Sequence, residues 1–162
     1  MTFNLRLISK RNIVLMLGIL ILDQATKQWI VLNFKEFDSL TITPFFNIVR
    51  VHNPGAAFSF LANAGGWQHY FFIGLAVLVC TYLLREMGNA ANNKRLRLSY
   101  SLVICGALGN VIDRIRFKYV VDFLDFHLGT AHWPAFNVAD SAICIGAVLM
   151  IWNELIKVKT VI

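Results

Sequence analysis

Four apolar runs, each of about 20 residues, constrain this chain more than any other feature, because that is the length a helix needs to cross the hydrocarbon core of a bilayer. They fall at residues 12–32, 67–84, 96–115 and 137–156. Backbone polar groups inside lipid must be satisfied within the segment, which leaves helices as the solution for such runs. The predicted fold class is therefore mainly α and integral to a membrane. Four transmembrane helices form a single membrane-embedded domain over residues 1–162. The chain is 57% hydrophobic and 15% charged, whereas soluble domains are nearer half apolar and a quarter charged. A net charge of +6 would also suit nucleic-acid binding. The basic residues fall between the apolar runs, however, so no nucleic-acid partner is expected.

The first run follows RLISKRN, as the core of a signal peptide would. DQATK and further spans follow it instead of a small-residue cleavage site, so it reads as a retained helix. Lys and Arg mark the cytoplasmic side of a membrane protein. Arg6, Lys10 and Arg11, then Arg85, Lys94, Arg95 and Arg97, then Lys157 and Lys159 share one side of a four-span topology. Both termini are thus expected in the cytoplasm. The other side carries Lys35, Arg50, Arg114, Arg116 and Lys118, so the bias is moderate. Two long segments lie on that outer side. Phe45 to Val51 and Tyr119 to Phe126 are rich in aromatic and β-branched residues and read as short strands. Asn53-Pro54-Gly55 reads as a turn. Trp67, Trp133, Phe45 and Phe46 are candidate interface anchors. Cys80, Cys105 and Cys144 lie inside apolar stretches without ligand spacing and read as small core residues.

The polar residues of the spans gather at one depth. Asp23, Gln24 and Lys27 lie in the outer half of span one, and Asn110, Asp113 and Arg114 end span three. Asn137 and Asp140 open span four. Helical spacing lets each set share a face: Asp23 with Lys27 at i,i+4, Asn110 with Asp113 and Arg114, and Asn137 with Asp140. Gly106 and Gly109 would let another backbone approach span three closely. Ionisable groups in such segments mark function or hold a bundle together. For Asp23 with Lys27, and for Asp113 with Arg114, both readings stay open. Asn137 is equally suited to cap a helix.

Asp122 and Asp140 raise a different possibility. Two neighbouring carboxylates do not both ionise readily, so the pair holds one proton and supplies a base and an acid. By pattern alone Asp122 still reads as a solvated turn or strand-edge residue. Asp125, in the same segment, is a second candidate, expected on the same strand face. The four histidines, His52, His69, His127 and His132, lack HExxH or paired spacing and read as interface or loop residues, so no metal is expected. Ser59 and Ser141 lack a nucleophile setting.

DQATK (23–27), HNPGAAFS (52–59), GALGNVIDR (106–114), VVDF (120–123) and FNVADS (136–141) together resemble, in order, the five sequence blocks of the lipoprotein signal peptidase, or signal peptidase II, family. Cys105 stands where many members have a glycine, which questions the packing of span three there. The resemblance implies a four-helix membrane bundle with a small extracytoplasmic β-sheet and an amphipathic loop element. It implies an intramembrane aspartyl endopeptidase that removes the signal peptide from diacylglyceryl-modified prolipoproteins, cutting before the lipidated Cys. Asp122 and Asp140 become the catalytic pair, against the pattern-only reading of Asp122. Asn53, Gly55, Asn110, Arg114 and Asn137 become substrate-binding or site-lining positions, with Asp23, Lys27 and Asp113 supporting. Arg114 and Asn110 are expected to hold Asp113 and to bind substrate carbonyls. Ala56 and Ala57 would offer a small-residue surface to a peptide. No cofactor is implied. The partners are lipidated substrate and membrane lipid, the protein is expected to be a monomer, and its location is the bacterial inner membrane with the site near the outer face. A transporter would need polar groups through the full thickness, and spans two and four show none in their inner halves. A purely structural subunit is the other rival.

Overall fold

The computed structural model describes residues 9–55, 61, 65–90 and 93–161. Its elements run α1 (Lys10–Asn33), β1 (Ser39–Thr43), β2 (Phe46–Asn53), α2 (Gln68–Asn89), α3 (Lys94–Phe117), β3 (Val120–Leu128), β4 (Ala131–His132) and α4 (Val138–Val161). Four of these are helices long and apolar enough to cross a membrane. Each matches one of the apolar runs to within two residues at its start and extends past the run's end into polar residues. α2, for example, continues through Arg85 to Asn89, because charged side chains at the bilayer edge do not interrupt helical hydrogen bonding.

The helices expose apolar side chains outward, such as Val14 (69% exposed), Val77, Val148 and Ile151. That is the pattern of a surface solvated by lipid. α3 is the exception, with 56% of its span buried against 17–22% for the others. It is the central helix on which the other three pack. Cys80, Leu83 and Met87 of α2 meet Tyr100 and Ile104 of α3 in one core cluster. Cys144 is exposed on α4, contrary to its reading as a core residue. It shares the outward surface of that helix with Ile145 and Val148. Cys80 and Cys105 are buried.

Close packing of α3 on α4 and α1 depends on missing side chains. A Cβ on Gly106 would collide with the backbone of Ala139 in α4, and one on Gly109 would lie 2.7 Å from Asp23 Oδ2 of α1. Gly146 of α4 reciprocates, since its Cβ would meet Ser99 O at 2.8 Å. Cys105 is accommodated beside these positions, its thiol donating to Leu102 O one turn back at 3.3 Å. The close approaches fall on its neighbours.

The strands form one antiparallel sheet in the order β1-β2-β3-β4. A register shift between Ile48 and Val51 interrupts the β2–β3 ladder. Within this irregular stretch, Arg50 donates through Nη1 to Val31 O (3.2 Å) and Phe34 O (2.7 Å), closing the C-terminal end of α1. A cation suits that end of a helix. Ile30 of α1 packs on Val121 and Phe123 of β3, fixing the sheet to the bundle. Lys118, at φ 68°, ends α3 in the left-handed conformation and turns the chain directly into β3. Trp67, Trp133 and Phe45 are exposed, whereas Phe46 is half-buried against Phe126, with ring centroids 4.8 Å apart.

The glycine contacts give a direct test. Gly109→Ala forces a methyl group against Asp23 and is expected to cost about 1–3 kcal/mol. Gly18→Ala, on α1 with nothing within 4 Å of the new methyl, should be neutral or slightly stabilising. Thermal denaturation of both variants in detergent checks the ordering.

Candidate functional site

The C-terminal halves of α1 and α3, the start of α4 and the first residues of β3 meet at the sheet-bearing end of the bundle. Helix spacing brings the α1 and α3 polar groups there, and they form an ion cluster. Lys27 Nζ lies 3.0 Å from Asp23 Oδ2 and 3.1 Å from Asp113 Oδ2. All three side chains are almost wholly buried. Lys27 also donates to Asn110 Oδ1 at 3.0 Å. Gln24 Nε2 lies within reach of Asp113 Oδ1 (3.1 Å), Asp23 Oδ2 (3.0 Å) and Gly109 O (3.2 Å).

The same carboxylates bind backbone of other elements. The Ala139 N–H at the start of α4 donates to Asp23 Oδ1 at 2.9 Å. The Val121 N–H of β3 donates to Asp113 Oδ2 at 3.1 Å. The cluster thereby sets the positions of the two segments that carry Asp140 and Asp122.

Asn137 links those two residues. Its Oδ1 accepts the Asp140 N–H at 2.9 Å while Asp140 Oδ2 accepts the Asn137 N–H at 3.3 Å. This reciprocal pair satisfies N–H groups left free at a helix start. The Nδ2 of the same side chain donates to Asp122 Oδ1 at 2.7 Å. Asn137 is thus a cap and a carboxylate ligand at once, with one end of its amide for each. Asp122 Oδ2 accepts from Asn53 Nδ2 at 3.0 Å, and Asp140 Oδ1 accepts from Asn110 Nδ2 at 2.7 Å. Burial, and then the charge of Asp140, push the Asp122 carboxyl up to about 7, against the hydrogen bonds from Asn53 and Asn137. Its hydrogen-bond partners are neutral amides, so no direct ion pair offsets the desolvation.

Arg114 and Asn110 do not hold Asp113, contrary to expectation. Lys27, Gln24 and the Val121 N–H occupy its carboxylate instead. The Arg114 side chain turns toward the end of β2, donating through Nη2 to Gly55 O at 2.6 Å. Its guanidinium lies 4.9 Å from the Phe72 ring of α2. The buried Nε has no hydrogen-bond partner among the described residues. Gly55 donates its own N–H to Asn53 Oδ1 at 3.0 Å, so the turn that carries Arg114's acceptor also fixes Asn53. Ala56, Ala57 and Ser59 lie outside the described residues.

Asp125 belongs to a separate group. It lies three positions after Asp122, an odd step that sends a strand side chain to the opposite face, not the same face. There it accepts from Asn47 Nδ2 at 2.8 Å and sits 2.9 Å from His132 Nδ1. Against the upward pull of burial, those hydrogen bonds hold its carboxyl below the ordinary value. His52, His127 and His132 are strand residues and His69 lies in α2, so of the interface and loop readings the loop one holds for none of the four. Among the described residues no group of three or more His, Cys, Asp and Glu is placed to hold a metal ion. At the other end of the bundle, Asn153 is buried in the inner half of α4 and accepts from Asn93 Nδ2 at 2.8 Å. The inner half of span four is therefore not free of polar groups. The apolar cluster of Leu83, Met87, Tyr100 and Ile104 belongs to the intervening core.

Two contributors escaped the sequence reading of the site. Gln24 was visible within DQATK, but its adjacency to Asp23 gave no sign that it would reach α3. Phe72 carried no signal, being one aromatic among many in an apolar run.

Residues 15–156 match the family model for signal peptidase (SPase) II. A lipoprotein signal peptidase of Shewanella baltica is 50% identical over 142 residues, covering 85% of this chain and 81% of that protein. The lipoprotein signal peptidase of Shewanella oneidensis is 51% identical over 136 residues, covering 82% and 78%. Among solved structures, one bacterial membrane enzyme superposes with a TM-score of 0.85 at 33% identity, covering 93% of this chain and 90% of that one. A second superposes with a TM-score of 0.79 at 34% identity, covering 90% and 92%.

Removing the cation at the centre of the ion cluster strands two buried carboxylates. Lys27→Met is expected to cost about 3–5 kcal/mol of stability. Adding Asp23→Asn and Asp113→Asn to it should recover part of that loss. Chemical denaturation of the single and triple variants in detergent measures both effects.

Proposed function

The chain belongs to the signal peptidase II family, membrane proteases that remove signal peptides from prolipoproteins, and from that premise we propose that it works as an aspartyl endopeptidase with Asp122 and Asp140 as its catalytic pair. Its substrates are diacylglyceryl-modified prolipoproteins, cut just before the lipidated Cys. The observation that carries this reading is the network of three asparagines around the two carboxylates. Asn53 and Asn137 fix Asp122, while Asn110 and Asn137 fix Asp140. Among the described residues neither aspartate makes a direct salt bridge, unlike Asp23 and Asp113.

Asp122, with its raised pKa, carries the shared proton at rest. Asp140, at the N-terminal end of α4 where the helix dipole favours a negative charge, is the base. It takes a proton from water, and the water oxygen bonds to the carbonyl carbon preceding the lipidated Cys. Asp122 gives its proton to the carbonyl oxygen. The resulting gem-diol collapses, returning a proton to Asp122 as the C–N bond breaks. Asp140 passes its proton to the leaving amine, so both carboxyls end as they began. The low-dielectric bundle strengthens each of these interactions. Arg114, with its unpartnered Nε, and Asn53 are suited to receive substrate carbonyls. The Lys and Arg distribution supports both termini in the cytoplasm and the site near the outer face, where the lipid of the substrate stays in the bilayer.

Cleavage of a lipidated prolipoprotein by purified protein tests the assignment. Asp122→Asn and Asp140→Asn should each lose at least about 10³-fold in rate, with melting temperatures close to wild type. Asp125→Asn should still cut. Retained cleavage by both dyad variants would sink the reading.

The pH dependence follows with a definite sign. The Asp122 pKa rises from its ordinary 3.8 to about 7 on folding. Its contribution to stability is therefore fully present below 3.8 and is lost as pH rises through about 7. Wild-type stability should fall between pH 5 and 8 by more than that of Asp122→Asn, and kcat/KM should decline above pH 7 as the acid ionises. Melting curves and rates across pH 5–9 check both.

A further inference from the structure

A cleft of about 870 Å³ lies at the end of the bundle away from the two aspartates, between the N-terminal turns of α1 and α3. Arg11, Lys94, Arg95 and Arg97 line it, and none of its described lining residues is acidic. The rest of its wall is largely aliphatic, from Val14 and Leu15 of α1, Leu98 of α3 and Leu149 of α4. Both α1 and α3 begin here, so the positive ends of two helix dipoles add to the side-chain charges. The walls are tied together: Asn12 Nδ2 donates to Arg97 O at 3.4 Å, joining α1 to α3. The Asn93–Asn153 hydrogen bond joins the start of α3 to α4.

Arg11, Lys94 and Arg95 are exposed at the helix ends, the level of the lipid head groups. Val14, at the cleft, is followed along α1 by Leu17 and Ile21, all more than half exposed. The cleft therefore opens from a cationic mouth onto an apolar, lipid-facing strip. A free phosphate would use the cations and leave the aliphatic wall unmatched. A phospholipid would use both, and basic pockets between membrane helices suit anionic head groups.

We propose that this cleft binds an anionic phospholipid, its phosphate held by Arg11, Lys94 and Arg95 and an acyl chain lying along Val14, Leu17 and Ile21. The bound lipid would bridge α1 to α3 at the end that the ion cluster does not reach.

Native mass spectrometry of the full chain in detergent, titrated with phosphatidylglycerol, phosphatidylcholine or inorganic phosphate, tests this without reference to cleavage. Phosphatidylglycerol should bind at least about tenfold more tightly than phosphatidylcholine, and the combined Arg11→Gln, Lys94→Gln and Arg95→Gln variant should lose about tenfold or more of that affinity. The three single variants, each at an exposed helix end, should each lose part of it and replace the combined variant if that fails to fold. Arg85→Gln removes an exposed cation of α2 outside the cleft and should leave binding unchanged. Equal binding of the two lipids would overturn the proposal. So would displacement of phosphatidylglycerol by inorganic phosphate at similar concentration, or a loss in Arg85→Gln as large as in the cleft variants.

Discussion

One ammonium group, that of Lys27, makes the sheet-bearing end of this bundle possible. Two carboxylates, Asp23 on α1 and Asp113 on α3, are buried where an unpaired charge would be prohibitive. Lys27 reaches both, at 3.0 and 3.1 Å. Each carboxylate then accepts a backbone N–H from a further element, Ala139 of α4 and Val121 of β3. Four elements are thus held by one ion-paired cluster. The glycines at 106 and 109 allow the helices close enough for those contacts to form.

From this cluster the polar network passes outward through amides. Asn110 accepts from Lys27 with its oxygen and donates to Asp140 with its nitrogen. Asn137 accepts from the Asp140 backbone and donates to Asp122. The difference between the two pairs of aspartates follows from their partners. Asp23 and Asp113 share the Lys27 ammonium. Among the described residues Asp122 is bonded to amide donors, beside a second carboxylate, and its pKa rises to about 7. Burial is similar for Asp23, Asp113 and Asp122, so these sites differ in bonding partner and not in depth.

Much of this was legible in the sequence where periodicity governs geometry. The apolar runs located the helices, and i,i+4 spacing paired Asp23 with Lys27. The glycines of CGALGN marked the close approach, and the aromatic and β-branched stretches marked β2 and β3. Contacts between elements were less legible. Nothing in GALGNVIDR says that Asp113 will face Lys27 while its neighbour Arg114 turns to Gly55. That choice depends on how α3 is rotated against three neighbours. The face of Asp125 is legible after all, since its odd step from Asp122 puts it on the opposite side of the strand, whereas Asn153, a single amide in an apolar run, carries no periodic signal. Asn137 is a cap and also a partner of the Asp122 carboxylate, one end of its amide for each.

The account rests on one carboxyl of the pair keeping its proton near neutral pH. Infrared difference spectroscopy of the purified protein against Asp122→Asn at pH 6 measures this directly. A carbonyl stretch of a protonated carboxylic acid is expected in wild type, absent from the variant, and lost as pH rises through about 7. A spectrum without that band, or one in which the band survives Asp122→Asn unchanged, would contradict it.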